Sequence, residues 1–101
     1  MDDQQRVAAF VAEHDLETPP AYRLLDLVSE VGELGKEVTE STGYGASPGA
    51  VDVDRDELGD TLFALLALAE ELDIDASAAL EESLEKYERR LDERGTAGSG
   101  E

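Results

Sequence analysis

One stretch of the chain is apolar on nearly every side of a helix, and it limits the folds that the chain can adopt. The stretch runs from Thr61 to Ala69 and reads T-L-F-A-L-L-A-L-A. A helix that is apolar all round is predicted to be buried rather than to lie on a surface. No segment of the sequence alternates apolar and polar residues as a half-buried strand does. We therefore predict an all-α protein in which this helix is surrounded by other helices.

Three further helices are predicted from apolar periodicity and from residues that begin or end helices. The four predicted helices are about Asp3–His14, Pro20–Ser41, Asp54–Leu72 and Ala76–Arg94. Thr18 is the predicted N-cap of the second helix because two prolines follow it, and Asp75 is the predicted N-cap of the fourth. We expect a helical bundle of about four helices, in which the second, third and fourth form the main packing unit.

The chain has 101 residues, which is enough for one domain. That domain is predicted to cover residues 1–94, and residues 95–101 are predicted to form a flexible tail. The apolar third helix predicts that oligomerisation completes the core. The sequence has no cysteine, no apolar run of membrane-spanning length and an N-terminus unlike a targeting signal. We therefore expect a cytoplasmic protein with no disulfide and no membrane partner.

The chain is strongly acidic, with a net charge of −18 from 26 acidic and 8 basic residues. Such a charge repels nucleic-acid phosphates and anionic membranes, so no nucleic-acid partner is expected. It also repels a nucleotide unless cations accompany it. At about 1 M salt the Debye length is about 3 Å, so exposed acids repel one another little in a salt-rich cytoplasm. We interpret the excess acid as a halophilic surface adaptation.

Two pairs of carboxylates carry most of the functional information. Glu30 and Glu33 lie in S-E-V-G-E-L, and Glu57 and Asp60 lie in D-E-L-G-D-T-L. The members of each pair are three residues apart and therefore project from one face of a helix. On the second helix the acids flank the apolar stripe, whereas Ser29 is predicted to lie on the opposite, solvated face. Both pairs are thus expected where their helices meet neighbours.

Four carboxylates that converge must be partly protonated or accompanied by cations. Two unit charges about 5 Å apart repel by roughly 3 kcal/mol at an effective dielectric of about 20. Magnesium is the expected occupant because it prefers oxygen ligands and keeps waters that a substrate phosphate can replace. Each pair also encloses a glycine, Gly32 or Gly59, although glycine costs about 1 kcal/mol inside a helix. These glycines indicate close helix contact or the approach of a ligand.

The same acids also have a purely structural interpretation. Glu57 lies three residues after Asp54, where a capping box would place it at the start of the third helix. Acids three residues apart recur elsewhere in the chain, for example at Glu82 and Glu85. The alternative hypothesis is therefore a non-catalytic acidic bundle that acts as a protein-interaction module and needs no Mg²⁺.

A basic stripe runs along the fourth helix through Ser83, Lys86 and Arg90. In so acidic a protein, a lysine and an arginine near an acid cluster favour the binding of phosphate oxygens. The structural alternative is ordinary ion pairing on a solvated helix face, as between Glu82 and Lys86.

The order of these motifs resembles the MazG-like nucleotide pyrophosphohydrolases of the all-α NTP pyrophosphatase superfamily. The resemblance covers roughly residues 22–90 and rests on three segments, E-V-G-E-L-G-K-E, D-E-L-G-D-T-L-F-A-L-L-A-L-A and E-K-Y-E-R-R. It implies Mg²⁺-dependent hydrolysis of an NTP or dNTP to the monophosphate and pyrophosphate, by a homodimer or homotetramer that maintains the nucleotide pool. Phosphoribosyl-ATP pyrophosphohydrolases and all-α dUTPases share this metal chemistry and are the alternative activities.

The resemblance also implies roles for individual residues. Four acids match the metal-binding acids of the family: Glu30, Glu33, Glu57 and Asp60. Glu33 and Glu37 are the candidates for activating the attacking water. Lys86 and Arg90 match basic positions that contact the nucleotide phosphates in some members.

The sequence departs from the family pattern in three ways. Ser29 stands where a second acid often precedes the first motif glutamate, and Ser83 stands where an asparagine often precedes the lysine. The chain has no tryptophan, although members often use an aromatic residue near the N-terminus to hold the base. Phe10 or Tyr22 is the candidate for that role.

Overall fold

The computed structural model of the chain describes residues 1–98, which contain four α-helices, one short 3₁₀-helix and no strand. The helices are α1 (Asp3–Glu13), α2 (Pro20–Ser41), α3 (Arg55–Glu71) and α4 (Ala76–Arg94), with the 3₁₀-helix Pro48–Ala50 between α2 and α3. The all-α prediction is confirmed. No helix within residues 1–98 is both long and apolar enough to cross a bilayer. Residues 99–101, which belong to the predicted flexible tail, lie outside the described residues.

The helix ends show which sequence signals were informative. The side chain of Asp75 caps α4 by accepting a hydrogen bond from the Ala78 N–H at 3.2 Å. Gly95 ends α4 with a φ of 74°, a left-handed conformation that glycine adopts without strain. The predicted Thr18 cap is wrong, because the N-cap of α2 is Pro19, which makes no side-chain hydrogen bond. The fixed φ of proline is sufficient to begin this helix.

Helix α3 is the centre of the fold, with α2 packed against it on one side and α1 on another. The buried apolar residues are Val11, Ala64, Leu66 and Ala67. Phe10 and Phe63 add a perpendicular aromatic contact between α1 and α3, with ring centroids 6.0 Å apart. Leu62 and Leu65 are about half exposed. The prediction that α3 is buried on every side therefore holds for only one face within a single chain.

Helix α4 diverges from this three-helix unit. It contains no buried residue, and the apolar stripe of Leu80, Leu84, Tyr87 and Leu91 is 42–59% exposed. The radius of gyration is 16.6 Å, whereas a compact chain of this length has a value of about 13 Å. The predicted packing unit of the second, third and fourth helices is therefore wrong, since α1 rather than α4 completes it. Oligomerisation that covers the stripe stays a prediction.

Gln4 fixes the point at which α4 begins. Its Nε2 donates to the Ile74 carbonyl oxygen, and its Oε1 accepts from the Ala76 N–H, each at 2.7 Å. Helix α1 therefore satisfies backbone groups of the turn between α3 and α4 that would otherwise lack a partner.

The glycines inside the acid pairs do not mark close helix contacts within the chain. A Cβ built at Gly32 or Gly59 would meet no heavy atom within 4 Å. The inference of close helix contact is thus wrong for the described residues, and each glycine leaves open space beside an acid.

We expect Gly32→Ala and Gly59→Ala each to raise the free energy of unfolding by up to about 1 kcal/mol, because alanine is the better helix former and the space is free. For a chain of this size the melting temperature should rise by roughly 4–8 °C, measurable by circular dichroism. Gly95→Ala is the matched control and should destabilise the chain, since its φ of 74° disfavours alanine. A lower melting temperature for Gly32→Ala or Gly59→Ala would contradict this account.

Candidate metal centre

Two hydrogen bonds close the hairpin formed by α2 and α3. The Asp52 N–H donates to Ser41 Oγ at 2.9 Å, and the Asp54 N–H donates to Glu37 Oε1 at 2.6 Å. These bonds place the start of α3 beside the C-terminal half of α2. Because the helices then run antiparallel, Asp60 on α3 meets Glu30, earlier on α2.

The start of α3 is not a capping box. Asp54 is the N-cap, and its Oδ1 accepts from the Asp56 N–H at 3.1 Å. In a capping box the side chain of Glu57 would accept from the Asp54 N–H. Glu37 accepts from that N–H instead. The capping-box interpretation of Glu57 is therefore wrong, and its carboxylate does not accept the Asp54 N–H.

Three of the four predicted metal-binding acids come together. Glu30, Glu57 and Asp60 each offer a carboxylate oxygen, and these oxygens lie within 4.8 Å of one another. Glu30 and Glu57 are partly buried, and Asp60 is exposed. Glu33 lies outside this set of three. Among the described residues this is the group whose geometry suits a metal ion, and we call it the acid cluster.

Glu57 is the member of the acid cluster whose pKa is raised by its surroundings. Partial burial raises the pKa of this carboxyl above its ordinary value of 4.5 because it removes water from the charged form. The carboxylates around it raise the pKa further by repulsion, in the order Glu37, Asp60, Glu30 and Glu33. Glu33 and Glu37, which are not members of the acid cluster, therefore lie close enough to raise the pKa of Glu57. A bound cation would relieve the repulsion among these carboxylates.

We expect the stabilisation of the protein by Mg²⁺ to grow as the pH rises. A raised pKa means that the folded state favours protonated Glu57, so the stability from this group is complete below pH 4.5 and is lost as pH rises through the folded pKa. Bound Mg²⁺ competes with the proton on Glu57 and restores the stability that the folded state loses at higher pH. Melting curves should show a small Mg²⁺-induced shift at about pH 5 and a larger one at about pH 7. A shift that is equal at both values would contradict this coupling.

The acid cluster opens onto a cavity of about 410 Å³. Its lining residues come from α2 and α3 and are Arg23, Asp26, Ser29, Glu30, Asp60, Phe63 and Ala64. Ser29 therefore faces the site, which corrects its predicted place on the opposite face of α2. Arg23 was missed by the sequence analysis. The available signal was its position seven residues before Glu30, because residues two turns apart share a helix face.

The basic residues of α4 do not line this cavity. Lys86 Nζ lies 4.9 Å from the ring centroid of Tyr87, and the Arg90 guanidinium lies 6.0 Å from it. Arg90 also donates to the Ala97 carbonyl oxygen at 3.3 Å. Ser83 lines an apolar groove between α3 and α4. A single chain thus keeps its predicted phosphate-binding residues apart from the acid cluster.

The MazG nucleotide pyrophosphohydrolase domain matches residues 20–95 of this chain. The chain belongs to the MazG family. The uncharacterized protein YpjD of Bacillus subtilis (strain 168) is 35% identical over 81 residues, which cover 76% of this chain and 71% of YpjD. No solved structure matches the chain significantly.

The MazG match contains every residue of the acid cluster but begins after α1. Helix α1 nevertheless contributes to a second cavity, of about 560 Å³, in which Phe10 and Leu62 lie close to Gly59. Phe63 lines this cavity as well as the one beside the acid cluster. Phe63 therefore connects the aromatic contact with Phe10 to the cavity that Glu30 and Asp60 line. Tyr22, the other predicted base-binding residue, is 58% exposed.

Proposed function

We propose that this MazG protein hydrolyses a nucleoside triphosphate, NTP or dNTP, to the monophosphate and pyrophosphate with Mg²⁺ as cofactor. The observation that carries the proposal is the acid cluster, in which Glu30, Glu57 and Asp60 converge, with Glu30 and Asp60 lining a cavity of about 410 Å³. Membership of the MazG family supplies the reaction class. Water attacks the α-phosphorus, the bond between the α- and β-phosphates breaks, and pyrophosphate leaves.

The donor set of the acid cluster suits Mg²⁺. All three groups are carboxylates, which are the hard oxygen ligands that Mg²⁺ prefers. The single histidine of the chain, His14, follows α1 and contacts Phe10 with ring centroids 4.5 Å apart, and it is not part of the cluster. When bound, Mg²⁺ supplies neutralisation of the triphosphate charge and polarisation of its phosphoryl oxygens.

Glu33 is the proposed residue that accepts the proton of the attacking water. It lies one turn from Glu30 on α2, and its charge raises the pKa of Glu57, so it lies near the cluster without belonging to it. Its side chain is exposed and therefore reaches solvent water. The alternative role for Glu33 is that of the fourth metal-binding acid, as the family resemblance implies. Glu37 is the alternative for the proton transfer, although one of its oxygens accepts from the Asp54 N–H.

Lys86, Arg90 and Ser83 are proposed to bind phosphate oxygens, and this role requires a second copy of the chain. Within one chain they lie on α4, away from the cavity beside the acid cluster. The exposed stripe of α4 supports a homodimer or homotetramer, because pairing would bury its apolar side chains. Each Å² of apolar surface removed from water contributes about 25 cal/mol of favourable free energy. The basic residues lie on the same helix as this stripe, so pairing through it is proposed to place them at the subunit interface.

The base of the nucleotide is proposed to lie against Phe10 and Phe63. The two rings, in perpendicular contact, both line the 560 Å³ cavity, and Phe63 also lines the cavity that Glu30 and Asp60 line. Phe10 is 47% exposed, which leaves ring surface for stacking with a base.

The test is to incubate the protein with a panel of canonical and modified triphosphates plus Mg²⁺, in high and low salt, and to assay pyrophosphate. The proposal expects pyrophosphate and the monophosphate in equal amounts from at least one substrate. Release of phosphate without pyrophosphate would contradict the proposed cleavage position. Phosphoribosyl-ATP and dUTP belong in the panel, since preference for either would identify one of the related activities.

Calorimetry with Mg²⁺ separates this proposal from a non-catalytic acidic bundle. Saturable binding that disappears in Glu57→Gln supports the enzyme, because the residue lies at the centre of the cluster. Absence of saturable binding, together with no turnover of any substrate, would favour the interaction module.

A further inference from the structure

Arg23 is a buried cation whose hydrogen bonds the protein leaves incomplete. The residue is 7% exposed, although α2 begins only three residues earlier. One terminal nitrogen, Nη2, donates to the Leu16 carbonyl oxygen. The Nε atom is enclosed and has no hydrogen-bond partner. Since a guanidinium has five N–H donors and buried donors are normally paired, Arg23 has unused capacity to bind an acceptor.

The nearest carboxylate does not satisfy this charge. Asp26 Oδ2 lies 4.0 Å from Arg23 Nη1, which is beyond hydrogen-bonding distance. The Asp26 side chain is 63% exposed, whereas that of Arg23 is 9% exposed. A buried charge without a close partner is costly, and buried charges are therefore normally paired with an opposite charge.

The position of Arg23 identifies the kind of ligand. Its side chain lines the 410 Å³ cavity together with Glu30 and Asp60, two members of the acid cluster. A cation held by those carboxylates would repel the guanidinium unless an anion lies between the two positive charges. A phosphate group that is complexed with the metal has this charge, and arginine binds phosphate oxygens through paired N–H donors.

We infer that Arg23 is a phosphate-binding residue of the MazG site, and that its guanidinium holds an oxygen of the metal-complexed triphosphate in the cavity shared with Glu30 and Asp60. The inference rests on the proposed function, which supplies the triphosphate. It adds a basic residue from the same chain as the acids, whereas Lys86 and Arg90 require a second copy. The contact with Leu16 uses Nη2 and leaves Nη1 available.

The test measures binding of inorganic tripolyphosphate by calorimetry with Mg²⁺ present, without hydrolysis. We expect Arg23→Met to weaken anion binding by about 10- to 100-fold, the loss typical of a charge-assisted hydrogen bond. Arg23→Lys should weaken it less, by roughly 3- to 10-fold, because charge is kept without the fork of donors. Binding of Mg²⁺ alone should remain in both variants. Arg94→Met is the matched control, since Arg94 is exposed in the last turn of α4 and lines neither cavity, and should bind like the wild type.

A second variant keeps the inference testable if Arg23→Met does not fold. Asp26→Asn removes the nearest opposing charge from the exposed side of Arg23 and should strengthen tripolyphosphate binding by about threefold, even at a salt concentration that screens distant charges. Asp15→Asn, at an exposed position in the loop before α2, is its control and should change nothing.

The outcomes separate this inference from the proposed function. Unchanged anion affinity in Arg23→Met, or in both Arg23→Lys and Asp26→Asn, would overturn the role of Arg23. Failure of the wild type to bind tripolyphosphate with Mg²⁺ would overturn it as well. If the wild type binds the anion and loss of Arg23 weakens it, but no triphosphate is hydrolysed, then the inference stands and the proposed reaction is wrong.

Discussion

Glu57→Gln is expected to reduce pyrophosphate release by more than about 100-fold while raising the melting temperature of the metal-free protein. The loss of activity follows because Glu57 is a proposed direct ligand, and even residues that only support a ligand cost 10- to 100-fold when replaced. The gain in stability follows because glutamine removes a charge that four neighbouring carboxylates repel. The assay is pyrophosphate release with Mg²⁺, and the melting curves are recorded in the presence of a chelator.

Glu82→Gln is the matched control for this variant. Glu82 is exposed on α4 and has a neighbouring acid three residues away, as Glu57 does, but it belongs to no cluster. It should leave both activity and melting temperature near the wild-type values. Full Mg²⁺ binding by Glu57→Gln, or a lower melting temperature of the metal-free variant, would contradict the acid cluster as a metal centre.

Glu33→Gln is expected to lower kcat by about 10²- to 10⁴-fold, with KM and the affinity for Mg²⁺ within about threefold of the wild type. The reason is that Glu33 lies outside the set of carboxylates within 4.8 Å of one another but close enough to influence Glu57. Steady-state kinetics combined with Mg²⁺ calorimetry measure the two effects separately. If Glu33→Gln loses Mg²⁺ affinity as Glu57→Gln does, then Glu33 is a metal ligand rather than the proton acceptor.

Glu37 provides the comparison for Glu33. Glu37→Gln keeps a carbonyl oxygen that accepts from the Asp54 N–H, so the closure of the hairpin should survive. We expect its kcat to fall less than that of Glu33→Gln. A larger loss of kcat in Glu37→Gln, with the melting temperature unchanged, would instead assign the proton transfer to Glu37.

The helices were largely predictable because local signals decide where they begin and end. The prolines at 19 and 20 fix the start of α2, and Asp75 and Gly95 fix the two ends of α4. The arrangement of the helices was less predictable. The apolar stripe of α4 shows that this helix needs a partner, but the same stripe suits α3 or another chain equally well. Only the structure shows that α1 takes the place beside α3.

The acid cluster was predictable in part because helical spacing determines which side chains share a face. Spacing brought Glu57 and Asp60 together on α3 and placed Glu30 on the inner side of α2. Helical spacing did not show that Glu37, rather than Glu57, accepts the hydrogen bond from the Asp54 N–H. That bond depends on the path of the loop between α2 and α3. Arg23 was missed because a lone arginine beside apolar residues normally extends to solvent, and burial cannot be seen in one sequence.

The hairpin of α2 and α3 has a consequence for how the site forms during folding. All three carboxylates of the acid cluster, and the two hydrogen bonds that close the hairpin, lie between residues 30 and 60. The segment that joins the two helices covers residues 42–54, and the entropy lost on closing a loop grows only slowly with its length. Contacts that are near in sequence form early, whereas distant ones set the slow steps. The acid cluster can therefore form before α4 has packed against a partner. Its formation does not require that two subunits have already paired.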